Sequence, residues 1–198
     1  MPETIDSAFD ALVVVDLQND FCPGGTLAVP GGDRVVPFLN RYIERFRRLK
    51  APIYASRDWH PAVTKHFQAY GGAWPPHCVQ GTTGAEFHPA LALPPEAVVI
   101  SKGMDPAEDA YSCFQAQDPE GRDFAVSLGE NGIQRLFVGG LATDYCVRST
   151  VLDALHEGFQ VVVLQDAIGA VDVKAGDGER AMAEMRAAGA RFVTLDDV

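Results

Sequence analysis

Short apolar runs rich in β-branched residues recur at 11–16, 52–56, 97–101, 135–139, 160–164 and 191–195, each of strand length. Between them the apolar positions spread to helical spacing, which predicts helices over roughly 33–49, 123–131, 144–157 and 177–188, each with Gly or Pro near a boundary. Apolar strands alternating with helices are the pattern of a parallel sheet buried on both faces. The expected fold is therefore α/β: a three-layer sandwich with a mostly parallel six-stranded sheet and helices on both sides. No internal repeat is visible.

Two segments break this rhythm. Residues 22–32, CPGGTLAVPGG, are rich in Gly and Pro, and residues 57–95 form a long connection that holds both tryptophans and four of the five histidines. A connection of that length without regular structure is usually functional or disordered. Its aromatic and histidine content argues against disorder.

With 198 residues, 47% of them hydrophobic, the chain suits one well-cored domain spanning 1–198. Lysine and arginine total 16 against 27 acidic residues, a net charge of -11, which leaves no basic surface for a phosphate backbone and excludes nucleic acid as a partner. The opening MPETIDSAFD lacks the basic start and apolar run of a signal peptide, and no apolar stretch approaches bilayer length. A cytoplasmic protein without a membrane partner is expected. Cys22, Cys78, Cys113 and Cys146 form no CxxC pair and lack the spacing of a disulfide scaffold, so reduced thiols are expected. A homo-oligomer is as compatible with the sequence as a monomer.

Ligands of open parallel sheets sit beyond the carboxyl ends of the strands. Asp16, Asp58, Lys102 and Cys146 all fall at or just after predicted strand ends, in four different connections. Cys146 is placed in the first turn of helix 144–157 with Thr143 as N-cap, where free amides and the helix dipole favour a thiolate. Taken alone, a cysteine there is more often packing than chemistry, and Asp16 with Lys102 could simply be an ion pair joining two loops. Together they allow more: Asp16 can take the thiol proton and return it to a leaving amine, while Lys102 sets the charge balance. Asp58 and His60, two apart in an extended segment, can point to one side, with His66 and His77 within loop reach. That donor set suits one divalent metal ion, Zn, Fe or Mn. Phe21, Trp74 and Tyr111 lie near these groups and could wall a flat ring, although such residues are more often core. His88, before Pro89, and His156, placed to cap helix carbonyls, read as structural.

The segments VVVDLQNDF, RDWHP, WPPHCVQGT, SKGMD with DAYSCF, and GGLATDYCV closely resemble the nicotinamidases, also called pyrazinamidases, of the isochorismatase-like hydrolase superfamily. The resemblance runs in order from about residue 11 to about residue 195. It implies a Rossmann-like sheet and hydrolysis of nicotinamide to nicotinate and ammonia in NAD salvage. By motif position it makes Cys146 the nucleophile, Asp16 the acid and base, and Lys102 the third member of the triad. It makes Asp58, His60 and His77 metal ligands with His66 a fourth, places the substrate ring between Phe21 and Trp74, and adds Tyr111 to the pocket. It further implies a cis peptide between Leu141 and Ala142, with the amides of Ala142 and Cys146 as the oxyanion hole and Ala142 against the substrate. Isochorismatases proper do not use the cysteine, so Cys146 favours amide hydrolysis over vinyl-ether hydrolysis. An amidase of the same superfamily acting on a carbamoyl or ureido substrate, or a binder without catalysis in the same crevice, are the rival readings.

Overall fold

A computed structural model describes residues 3–198. Six strands, β1 (Asp10–Val15), β2 (Ile53–Asp58), β3 (Val98–Lys102), β4 (Arg135–Leu141), β5 (Gln160–Gly169) and β6 (Arg191–Val193), form one sheet in the order β3-β2-β1-β4-β5-β6. Every neighbouring pair is parallel, so the sheet is parallel throughout rather than mostly so. The chain winds outward in one direction from β1 to β3 and in the other from β4 to β6. The crevice where such a sheet reverses, here between β1 and β4, is the place a ligand finds the open ends of two connections.

Alternate residues of β1 feed two separate cores. Leu12 and Val14 join Leu39, Tyr42 and Phe46 of α1 (Val36–Leu49) on one face. Ala11, Val13 and Val15 join residues of α2 (Phe124–Glu130), α3 (Arg148–His156) and α4 (Asp177–Ala187) on the other. This is the period of two expected of a strand covered on both sides, and all six residues of β1 are buried. α1 begins with a proline in its first turn, buries Val36, Leu39, Ile43 and Phe46 along one stripe, and stops at Lys50 in the left-handed region.

Most boundaries shift by one to three residues from expectation, and four of the differences bear on the fold. β1 stops at Val15, and Asp16 leaves the sheet with φ 45, a conformation that aspartate tolerates better than most residues. β5 runs to Gly169 rather than 164, because an irregularity between Val138 and Gly140 lets it pair again with the end of β4. β6 ends at Val193, and residues 195–197 form a 3-10 turn capped by Thr194 and Asp197. The single helix expected over 144–157 is a π-turn, Thr143–Val147, followed by α3. Its N-cap is Ala142, not Thr143, and makes no side-chain capping bond. His156 is exposed and does not cap α3; the backbone amides of Glu157, Gly158 and Phe159 take the last carbonyls instead.

The long connection between β2 and β3 is ordered by its own side chains. Phe67, Cys78, His66 and His77 are buried within it, and short bridges pair His60 with Val79 and Phe67 with Trp74. Among the described residues no helix is long and apolar enough to cross a membrane.

Candidate active site

The carboxyl ends of β1, β2, β3 and β4 bring Asp16, Asp58, Lys102 and Cys146 into one buried cluster. Lys102 is the last residue of β3 and is fully buried. Its ammonium lies 2.8 Å from Asp16 Oδ2, bonds Asp58 Oδ1, and stands 3.5 Å from Cys146 Sγ. Ligating atoms of Asp16, Asp58 and Cys146 all lie within 4.8 Å of one another. Asp16 is held by Ser56, whose hydroxyl donates to Oδ1 at 2.6 Å and also accepts the Asp16 amide. The contact of Oδ2 with Lys102 is one of charge without an aligned hydrogen bond, so that oxygen keeps acceptor capacity toward the cavity. Gln18 fixes Asp58 in turn, accepting its amide and donating to its carbonyl, both at 2.8 Å.

Burial dominates the titration of the cluster, and the charges inside it modify that effect. Burial pushes the Asp16 carboxyl up; Lys102 pulls it back and the Asp58 charge pushes it further. Asp58 goes the other way, because Lys102 and His60 outweigh burial and hold it well below the usual carboxylate range. Burial would discharge Lys102, yet Asp16 and Asp58 overcome it and keep the ammonium charged. The Cys146 thiol is pushed well above its ordinary value by burial, with Lys102 opposing and both carboxylates reinforcing. Burial and the two carboxylates thus oppose the lowering expected from the helix amides and favour the protonated thiol. It needs a base within reach.

His60, His66 and His77 gather beside this cluster, each offering a ring nitrogen within 4.8 Å of the others. Their outer nitrogens are all engaged: Nδ1 of His60 with the Gly103 carbonyl at 3.0 Å, of His77 with the Pro75 carbonyl at 2.8 Å, and of His66 with Asp109 Oδ1 at 2.6 Å. Carbonyls and carboxylates only accept, so each Nδ1 carries the proton and each Nε2 presents a lone pair. Asp58 Oδ2 faces two of them, 3.7 Å from His60 Nε2 and 3.9 Å from His77 Nε2. Burial lowers His77 to about 4 and also lowers His66, so both stay neutral at neutral pH. His60 Nε2 is buried without any hydrogen-bond partner. A buried lone pair left bare amid three imidazoles and a carboxylate fits a bound divalent ion. Gly103, at φ 68, lies against the His60 ring where a side chain would collide.

A narrow cavity opens onto both clusters. Phe21, Trp74, Tyr111 and Ala142 line it beside Cys146, as do Asp58, His66 and His77. The sequence reading missed Tyr145, Leu27, Val29 and Val171, which complete the wall. Tyr145 stood next to Cys146 in ATDYCV and could have been found by that adjacency; the others carry no local signal. The Trp74 indole donates to Tyr111 Oη at 2.9 Å and packs edge-on to Tyr145, while Phe21 meets His77 at 5.5 Å. The Leu141–Ala142 peptide is cis. Cys22, Cys78 and Cys113 are buried and free, away from this wall. The His88 side chain, by contrast, accepts the Ala90 amide within its own loop.

Residues 10–197 match the isochorismatase domain. The chain belongs to the isochorismatase family. Within the family it groups with the nicotinamidases: it is 43% identical over 206 residues to the nicotinamidase of Escherichia coli K12, covering 94% of this chain and 95% of that one. The nicotinamidase/pyrazinamidase of Mycobacterium tuberculosis H37Rv is 38% identical over 92% of this chain and 97% of its own length. Among solved structures, the pyrazinamidase of Pyrococcus horikoshii in complex with zinc superposes with a TM-score of 0.87 at 48% identity, covering 94% of this chain and 99% of its own. PnC1 from L. infantum in complex with nicotinate gives 0.89 at 37% identity, covering 100% of this chain and 98% of its own. The parallel sheet and its helices are therefore those of a known isochorismatase-like fold.

Proposed function

We propose that this protein hydrolyses nicotinamide, and pyrazinamide with it, to the acid and ammonia through a thioester on Cys146. The observation that carries this is the meeting of a buried thiol, a buried carboxylate and a buried ammonium from three strand ends, with Nζ of Lys102 3.5 Å from Sγ of Cys146 and 2.8 Å from Asp16. Asp16 takes the thiol proton as Sγ bonds to the carboxamide carbon. The oxygen that becomes negative is met by the amides of Ala142 and Cys146. Asp16 then gives its proton to the nitrogen, the C–N bond breaks, and ammonia leaves. Water attacks the thioester, losing a proton to Asp16, and the C–S bond breaks with return of that proton to sulfur. Lys102 keeps Asp16 ionised between these transfers, and the carboxyl raised by burial is a stronger base toward the thiol proton than an ordinary carboxylate.

Asp58, His60, His66 and His77 would hold one divalent ion, Zn, Fe or Mn. When bound, the ion supplies Lewis acidity and a fixed positive charge for the lone pair of a pyridine-type nitrogen. The histidine set favours a ring amide over a ureido substrate, which offers no such lone pair. Phe21 and Trp74, on the cavity wall, would hold the ring flat, with Tyr111 hydrogen-bonded behind Trp74. Four free cysteines suit a reducing compartment, and we place the enzyme in the cytoplasm.

Ammonia release from nicotinamide by the metal-analysed protein, run beside Cys146→Ala, tests the reading. Turnover is expected in the wild type and a loss of at least about a thousandfold in the variant. Near-normal release by Cys146→Ala would remove the nucleophile assignment. No release by a folded, metal-loaded wild type would reject the substrate.

A further inference from the structure

Asp144 lies two residues before Cys146 in the same π-turn, and its carboxylate is spent on the backbone of another segment. Oδ1 accepts the amide of Val171 and Oδ2 the amide of Asp172, each at 2.9 Å. These two amides open the irregular segment 170–176 that joins β5 to α4. Val171 carries one wall of the cavity, whereas Val173 and Lys174 beyond it are exposed. Asp172 sits at φ 53 and its Oδ1 accepts the Gly178 amide at 2.8 Å, tying the far side of the segment to the start of α4. Within the described residues, Val171 and Asp172 make no other backbone bond that fastens the segment to the sheet.

We propose that Asp144 is a positioning residue: by clamping two successive amides it seats Val171 against the bound ring, so that the turn bearing the nucleophile also sets a second part of the pocket wall. Two charge-assisted bonds to adjacent amides fix a segment in both position and rotation, which one bond would not. A half-buried carboxylate in this use contributes to substrate fit, not to the bond-breaking steps. The inference rests on the reading of the cavity as a ring-amide site, but one arm of its test does not depend on substrate.

The segment contains a tryptic site at Lys174–Ala175, exposed yet held by the clamp. Limited trypsin digestion, followed by mass spectrometry of the fragment ending at Lys174, reads the clamp directly. Asp144→Asn, which keeps the shape and one acceptor, and Asp144→Ala are expected to speed that cut by roughly tenfold or more, since protease access follows the open population. In nicotinamide hydrolysis both raise KM by about tenfold while kcat stays within about threefold. Val171→Ala raises KM without speeding the cut, which separates the wall from the clamp. Unchanged cleavage at Lys174 in a folded Asp144→Asn, or a fall confined to kcat, overturns the proposal. If the wild type releases no ammonia, the substrate reading fails while the tryptic comparison still decides whether Asp144 holds the segment.

Discussion

Asp109 is more than half exposed and lies 43 residues from His66 in sequence, yet its carboxylate accepts a hydrogen bond from His66 Nδ1 at 2.6 Å. Such a partner orients a ligating imidazole and raises its basicity. Asp109→Ala is expected to weaken metal binding by about 10- to 100-fold, measured by competition with a chromophoric chelator; unchanged affinity would leave His66 without a ligand role. Lys102 poses the complementary case. Its removal leaves Asp16 and Asp58 facing each other without a cation, so Lys102→Met should cost roughly 3–5 kcal/mol in urea denaturation of the chelator-treated protein. Asp16, Lys102 and Cys146 were legible because each stands in a motif at or just after a strand end, and the histidines because they cluster in one connection. Asp109, Ser56 and Val171 were not, since their partners come from other elements and nothing in their own neighbourhood marks them.

At the scale of elements, strand ends other than that of β5 were readable to within about two residues because apolar runs stop near where polar side chains begin, and the candidates do lie at or just after those ends. The start of the helix after β4 was misread, because a π-turn and the first turn of an α-helix bury nearly the same positions; periodicity cannot separate them over five residues. The connection from β2 to β3 gave its composition but not its packing. Its core is Phe67, fully buried, with its ring 5.5 Å from His60, 5.6 Å from His77 and 6.2 Å from His66. Truncating it removes the surface against which all three imidazoles pack, edge-on or tilted. Phe67→Ala is expected to lose about 3–5 kcal/mol of stability and, unlike a remote core truncation such as Phe46→Ala, to weaken metal binding as well. Equal metal affinity in the two variants would show that the histidines hold their geometry without it.

Across the whole molecule, the buried site makes stability depend on pH in a direction that can be worked out. His77 falls from an ordinary 6.5 to about 4 in the folded state because burial penalises its charged form. Between those values the unfolded chain binds the proton and the folded one does not, so stability rises with pH across the window. The contribution is complete above about 6.5 and is lost as pH falls toward about 4, a span of roughly 3 kcal/mol for this one group. Asp16 opposes it: its carboxyl is raised on folding, so it withdraws stability as pH climbs from its ordinary 3.8 toward the folded value. Asp58, lowered on folding, acts below 3.8 and leaves the histidine window clear. Urea midpoints of the chelator-treated protein should therefore drop between pH 6.5 and pH 4.5, and the drop should be shallower in His77→Asn, which cannot take up the proton. Parallel slopes in the two proteins would mean that His77 is not held neutral by burial. With metal present the wild-type curve should shift upward by the linkage of binding to folding and steepen on the acid side, because protons and the ion compete for the same nitrogen lone pairs.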